Sequence, residues 1–138
     1  MAGCDAIRHS LLEVDAAMAG RPWREGGWTR RQVLGHMIDS AANNHQRFVR
    51  SSLDGSYTGP VYAQEGWVNA HGYDNMPWTV LLEWWQAYHE ILKAVVARIS
   101  EDRLSTMCCV GDNEAVTLRF LIEDYVEHQR HHLRQILA

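Results

Sequence analysis

Two histidines near the carboxyl terminus, His128 and His132, are four residues apart. Residues at this spacing lie on the same face of a helix, one turn from each other. Two neutral imidazoles on one face can bind a single divalent metal ion, and a third protein ligand would leave a coordination position open for water or substrate. The alternative is that both histidines are polar residues at the edge of an amphipathic helix.

The helical period predicts which histidines of this segment point inward. Its apolar face is formed by Leu118, Leu121, Ile122, Tyr125, Leu133 and Ile136. At about 100° per residue, measured from Leu118, His132 lies roughly 40° and His128 roughly 80° from the centre of that face, on the same side. The adjacent His131 lies roughly 140° away and should point to solvent. We therefore expect His128 and His132, and not His131, to be candidate ligands.

A second helical segment carries a continuous polar stripe formed by His36, Ser40, Asn43 and Arg47. These positions follow the i, i+4, i+7, i+11 pattern of one helix face. A polar stripe is ordinarily solvated, but this one combines an imidazole, a hydroxyl, an amide and a guanidinium, which is typical of the wall of a site. We predict His36 as the third metal ligand, and Asn43 and Arg47 as residues that bind an anionic substrate.

The other histidines fit this pattern less well. We expect His45 to be a core or interface residue with a satisfied side chain, and His9 and His89 to lie on helix surfaces. His71 falls in a predicted loop and is the one of these four that could move into a site. A carboxylate or a backbone carbonyl close to the metal ligands should fix the tautomer of each imidazole, and Asp39 or Glu127 could reach such a position.

Four amphipathic helices must position these residues. Apolar residues recur at helical spacing over residues 7–18, from the N-cap Thr29 to about Ser51 and Ser52, from Pro77 to about Ile99, and over residues 115–136. Residues 54–76 contain several glycines and have no sustained period, so we predict a long functional loop, in which a short hairpin is possible. Residues 100–114 are a further predicted loop. The pattern predicts an all-α four-helix bundle with a long loop between helices two and three.

Composition limits the possible functions. At 138 residues the chain has the size of one domain, and we expect residues 1–138 to form it. The formal net charge of -4 argues against a nucleic-acid partner. There is no long apolar run or secretory signal, and the three cysteines, of which Cys108 and Cys109 are adjacent, form no disulfide framework. We expect a cytoplasmic protein without a membrane partner, and we assign the cysteines no role.

Two segments of the chain resemble motifs of the DinB-like superfamily. Residues 24–40, which include Gly26-Gly27-Trp28-Thr29 and His36, together with Arg47-Phe48, resemble the helix-two motif of that family. The segment His128-Gln129-Arg130-His131-His132 resembles its second metal motif. The similarity spans essentially residues 5–138, and its nearest subgroup is the YfiT type, described as metal-dependent hydrolases and bacillithiol transferases.

The resemblance implies a DinB four-helix bundle, commonly a homodimer, with a metal ion on His36, His128 and His132. It further implies zinc or nickel as the metal and a low-molecular-weight thiol as a possible cosubstrate. Gly35 departs from the family pattern, because close relatives can carry another histidine there. This departure puts no ligand in doubt, but it alters the pocket beside His36.

Three hypotheses for the function follow. A divalent ion held by three neutral histidines keeps its positive charge, so it can lower the pKa of bound water to about 7 or hold a thiol as thiolate. The first hypothesis is therefore a metal-dependent thiol S-transferase or hydrolase acting on a small-molecule substrate. The alternative is a non-catalytic metal-binding or stress-response bundle that acts as a dimeric binding module. The third is a purely structural dimerisation domain.

Overall fold

A computed structural model describes residues 4–138 and shows a mainly helical chain with one small sheet. In chain order its elements are α1 (Cys4–Leu12), α2 (Ala16–Ala19), α3 (Arg30–Asp54), β1 (Tyr57–Gly59), α4 (Gln64–His71), a 3₁₀ turn (Tyr73–Asn75), α5 (Trp78–Ala97), α6 (Glu101–Leu104), β2 (Met107–Val110), β3 (Val116–Thr117) and α7 (Leu118–Ile136). The long helix α3 packs against both α5 and α7, and α1 packs against α5. None of the described helices is long and apolar enough to cross a membrane.

Helix α3 begins at the residue that the sequence predicts. The Thr29 side chain accepts a hydrogen bond from the Gln32 backbone N–H, and the Gln32 side chain accepts one from the Thr29 backbone N–H. This capping box satisfies two backbone donors that would otherwise lack partners at the helix start. The helix continues to Asp54, slightly beyond the predicted end, and stops at Gly55, whose φ of 73° is readily adopted by glycine.

The core lies on both sides of α3. One cluster of buried side chains joins α3 to α1, α5 and the end of α7, and a second joins α3 to α5 and α7 near the sheet. Two buried tryptophans also find acceptors for their indole N–H groups. Trp85 donates to Gln129 Oε1 at 2.9 Å, and Trp78 donates to the Leu11 carbonyl at 2.9 Å. These bonds remove the penalty of burying an unpaired indole N–H.

The first predicted helix is interrupted. Instead of one helix over residues 7–18, α1 ends at Leu12 and α2 starts after Asp15. Asp15 has an extended backbone, and its side chain accepts a hydrogen bond from the Met18 backbone N–H at 2.8 Å. Asp is a strong N-cap residue, so this position starts a new helix although the apolar spacing continues through it.

The two predicted loops contain short regular elements, so their assignment as irregular connections is wrong in part. Residues 54–76 contain β1, α4 and the 3₁₀ turn, and residues 100–114 contain α6 and β2. Strand β1 pairs with β2 in parallel, with Tyr57 opposite Cys108, and β2 pairs with β3 antiparallel. The last helix begins at Leu118, with the Thr117 side chain as its N-cap, rather than at about residue 115.

Candidate metal centre

Helices α3 and α7 bring three histidines together. His36 Nε2 lies 3.4 Å from His128 Nε2, which lies 3.0 Å from His132 Nε2. One ring nitrogen from each of the three lies within 4.8 Å of the others. Among the histidine, cysteine and acidic side chains that the structure describes, these three histidines form the group whose geometry could hold a metal ion.

The spacing of these nitrogens fits a single divalent ion. Tetrahedral coordination with metal–nitrogen bonds of about 2.0–2.1 Å places ligand nitrogens about 3.3 Å apart. The separations of 3.4 and 3.0 Å agree with that value. The three imidazoles are therefore close enough to share one ion.

Gln135 fixes the tautomer of His132. His132 Nδ1 donates to Gln135 Oε1 at 2.7 Å, and Gln135 Nε2 donates to His131 Nε2 at 3.1 Å. Because the amide oxygen only accepts hydrogen bonds, the His132 proton lies on Nδ1. The lone pair of His132 Nε2 is then free and directed towards His128, as a metal ligand requires.

Burial keeps the three imidazoles neutral. Loss of solvation lowers the pKa of His36 to about 3, with smaller contributions from His132 and His128. Burial also lowers the pKa of His132 to about 4 and lowers the pKa of His128. At neutral pH all three histidines are deprotonated, so a metal ion does not have to displace protons from them.

The two carboxylates expected beside the ligands lie elsewhere. Asp39 is buried and accepts a hydrogen bond from the Tyr73 hydroxyl at 2.5 Å, with His71 Nδ1 at 3.4 Å. Glu127 pairs with Arg130 at the surface. Neither carboxylate forms a hydrogen bond with a ligand histidine among the described residues. The expectation for both carboxylates is wrong. At His132 the side chain of Gln135 fixes the tautomer instead. Gln135 lies three residues after His132, and this helical spacing is the sequence signal that could have identified it.

The remaining histidines follow the predictions except for His89. His131 and His9 are exposed, and His45 forms a 2.9 Å hydrogen bond with the Tyr88 hydroxyl. The expectation that His89 lies on the surface is wrong, because it is buried and stacked on Trp85. It follows Trp85 by four residues and therefore lies on the buried face of α5.

His71 is not part of the metal centre, although the sequence made it a candidate. It is the last residue of α4, and its ring stacks on Tyr73 with centroids 4.9 Å apart. Its Nδ1 lies 2.9 Å from the Trp67 carbonyl. These contacts hold His71 beside Asp39 rather than beside His36.

A cavity of about 160 Å³ extends from His128 along the groove between α3 and α7. Its lining includes three residues of α3, one residue just before α4 and the first residue of α4: Ser40, Asn44, Arg47, Tyr62 and Gln64. Burial raises the pKa of Tyr62 to about 12, so its hydroxyl, which hydrogen-bonds to Ser40, stays protonated. The cavity gives a small molecule access to the edge of the metal centre.

The structure places the two predicted substrate-binding residues differently. Arg47 lines this cavity and the neighbouring one of about 280 Å³. Asn43 lines the neighbouring cavity and not the one beside His128, and its Nδ2 donates to the Asp39 carbonyl at 2.9 Å. Asn44 lies in the cavity beside His128 instead, because it continues the i+4 row that runs from His36 through Ser40.

The sequence model of the DinB superfamily matches residues 5–136. The chain belongs to the DinB superfamily. A "Putative metal-dependent hydrolase" of Oceanobacillus iheyensis is 27% identical to it over 116 residues, which are 84% of this chain and 66% of that protein. A protein of the same name from Bacillus cereus is 27% identical over 132 residues, 96% of this chain and 76% of that one. This DinB-superfamily chain thus spans about two-thirds to three-quarters of these curated relatives.

Two solved structures share its fold. YfiT from Bacillus subtilis, described as "a probable metal-dependent hydrolase with an unusual four-helix bundle topology", superposes with a TM-score of 0.85 and 26% identity, over 95% of this chain and 76% of that one. The mycothiol-dependent maleylpyruvate isomerase superposes with a TM-score of 0.73 and 19% identity, over 95% and 55% of the two chains. The predicted helical-bundle fold and the family resemblance are therefore confirmed.

Proposed function

We propose that this protein is a metal-dependent enzyme that holds one divalent ion on His36, His128 and His132 and catalyses thiol S-transfer or hydrolysis. The observation that carries the proposal is the convergence of three neutral imidazoles beside a cavity that His128 itself lines. The metal-dependent-hydrolase names of the relatives support the metal, and the fold shared with a mycothiol-dependent isomerase is compatible with a thiol cosubstrate. We further propose zinc or nickel as the ion, since imidazole suits both.

A bound divalent ion would supply positive charge that lowers the pKa of a water or a thiol, giving a nucleophile near neutral pH. The protein's own residues prepare the site for this role. Gln135 orients His132, and burial keeps the ligand rings deprotonated. In the cavity, Arg47 can neutralise an anionic group of the substrate, and the protonated Tyr62 hydroxyl can donate a hydrogen bond to it.

The proposal is tested with tag-free protein that is stripped with a chelator and reloaded with zinc or with nickel. Two assays are run on each sample: conjugation of small thiols to a chromogenic electrophile, and hydrolysis of chromogenic esters and amides. We expect turnover in at least one assay only after reloading. His128→Ala should abolish it, whereas His131→Ala, a change in the adjacent exposed histidine, should retain most of it.

The main competing function is a metal-binding bundle without catalytic activity. It predicts that reloaded protein contains the ion but gives no turnover in either assay. That result would overturn the enzymatic part of the proposal. Turnover that persists in stripped protein would overturn the metal-dependent part.

A further inference from the structure

The cavity beside His128 contains one positive and one negative side chain. Arg47 approaches from α3, and Asp124 approaches from α7, one helical turn before His128. The other side chains that line it are uncharged, and His128 is among them because burial lowers the pKa of its ring. The charged lining therefore consists of a guanidinium and a carboxylate on opposing helices.

These two charges do not neutralise each other. Neither Arg47 nor Asp124 forms an ion pair with any residue in the described part of the chain. Arg47 donates a hydrogen bond from Nη2 to the Pro60 carbonyl at 3.3 Å, and the guanidinium has further N–H donors for a ligand. Opposite charges that line the same small space and remain unpaired are suited to a ligand that carries the complementary pair.

The size of the cavity limits that ligand. Its volume of about 160 Å³ corresponds to on the order of five water molecules. A single amino acid is of a size that fits such a space. A carboxylate would pair with Arg47, and an ammonium group would pair with Asp124, while the third substituent of the ligand would extend towards His128.

We propose that this cavity is a two-charge subsite for a small zwitterion, an α-amino acid whose side chain carries a thiol. The α-carboxylate binds Arg47, the α-ammonium binds Asp124, and the thiol faces the metal centre at His128. This inference rests on the proposed function, because the metal centre is what would select the thiol. It adds that the cosubstrate is recognised by its two charges as well as by its sulfur.

The test compares three thiols that differ only in their charged groups: L-cysteine, cysteamine and 3-mercaptopropionate. Each is titrated into cobalt-loaded protein, and binding is followed by the thiolate-to-cobalt charge-transfer absorption. We expect L-cysteine to bind at least about tenfold more tightly than cysteamine, because cysteamine lacks the carboxylate that pairs with the half-buried Arg47. Its preference over 3-mercaptopropionate should be about two- to fivefold, because Asp124 is exposed.

Two variants separate the charges. Arg47→Met should remove the preference for L-cysteine over cysteamine and keep the preference over 3-mercaptopropionate. Asp124→Asn should do the reverse. The matched controls are Arg50→Met and Glu123→Gln, which change exposed charges on the same helices outside this cavity and should alter neither ratio.

Each outcome bears on a definite part of the proposal. Equal binding of the three thiols would overturn the two-charge subsite but leave the metal-dependent thiol function standing. The absence of a charge-transfer band with all three thiols would overturn the subsite together with the thiol-transfer arm of the proposed function. An unchanged cobalt spectrum of each variant before thiol addition shows that its metal centre is intact.

Discussion

Replacing Gly35 with alanine should destabilise the protein strongly, although alanine is the better helix former. Gly35 lies in α3 immediately before His36, and its α-carbon faces the ring of Tyr73. A methyl group built at this position would approach the ring to less than 3.0 Å, a contact that real Cβ atoms essentially never show. The ring would have to move.

Tyr73 cannot move at low cost. Its side chain is 1% exposed, its hydroxyl donates to Asp39 at 2.5 Å, and its ring stacks on His71. Overpacking a core costs about 1–3 kcal/mol. Loss of a hydrogen bond to a charged group costs about 1.5–3 kcal/mol, and the helix propensity of alanine returns about 1 kcal/mol. The expected net loss is about 2–5 kcal/mol in the free energy of unfolding.

Urea unfolding of metal-free protein measures this loss. For a slope of about 1–3 kcal/mol per M, a loss of about 2–5 kcal/mol should lower the midpoint by about 0.7–5 M. The matched control is Gly66→Ala in α4, where the nearest atom to the added methyl group is 3.5 Å away. That variant should gain up to about 1 kcal/mol. A Gly35→Ala protein as stable as the wild type would refute the close packing of α3 against Tyr73.

Three further predictions concern the metal centre and the start of α3. Gln135→Leu should weaken metal binding by about 10- to 100-fold in competition with a chromophoric chelator, because it frees the His132 ring; unchanged affinity would contradict the role of Gln135. Burial lowers the pKa of His36 to about 3 and that of His132 to about 4, against 6.5 in the unfolded chain. Between pH 6.5 and about 4 the unfolded chain therefore binds protons that the folded chain does not. The urea midpoint of metal-free protein should fall as the pH is lowered through this range, and the fall should be smaller in His36→Gln. Thr29→Ala should lower the free energy of unfolding by about 1 kcal/mol in urea titrations, since it removes the capping box with Gln32, and an unchanged midpoint would show that the cap contributes nothing.

The helical period alone indicates which three histidines lie close together in the structure. The angles around α7 separate His128 and His132 from His131, and the polar stripe of α3 indicates His36. These assignments depend on local geometry, which a repeat of 3.6 residues determines. The structure brings these three side chains together, and metal binding at them stays a prediction.

Contacts between distant segments could not be predicted in the same way. Asp39 is buried because Tyr73, 34 residues later, donates to it, and no local pattern encodes that pair. Strands β1 and β2 have three and four residues, too few to show alternation, and each exists through pairing with a distant segment. Asn43 and Asn44 differ by one helical step, and the position of α7 decides that Asn44 lines the cavity beside His128.

The metal content of tag-free protein tests the central claim most directly. Elemental analysis of wild type, His128→Ala and His131→Ala, purified side by side, gives the number of bound divalent ions per chain. The three-histidine centre predicts about one zinc or nickel ion per chain in the wild type and in His131→Ala, and a large loss in His128→Ala. Wild-type protein without a stoichiometric divalent ion, or His128→Ala with an unchanged metal content, would contradict it.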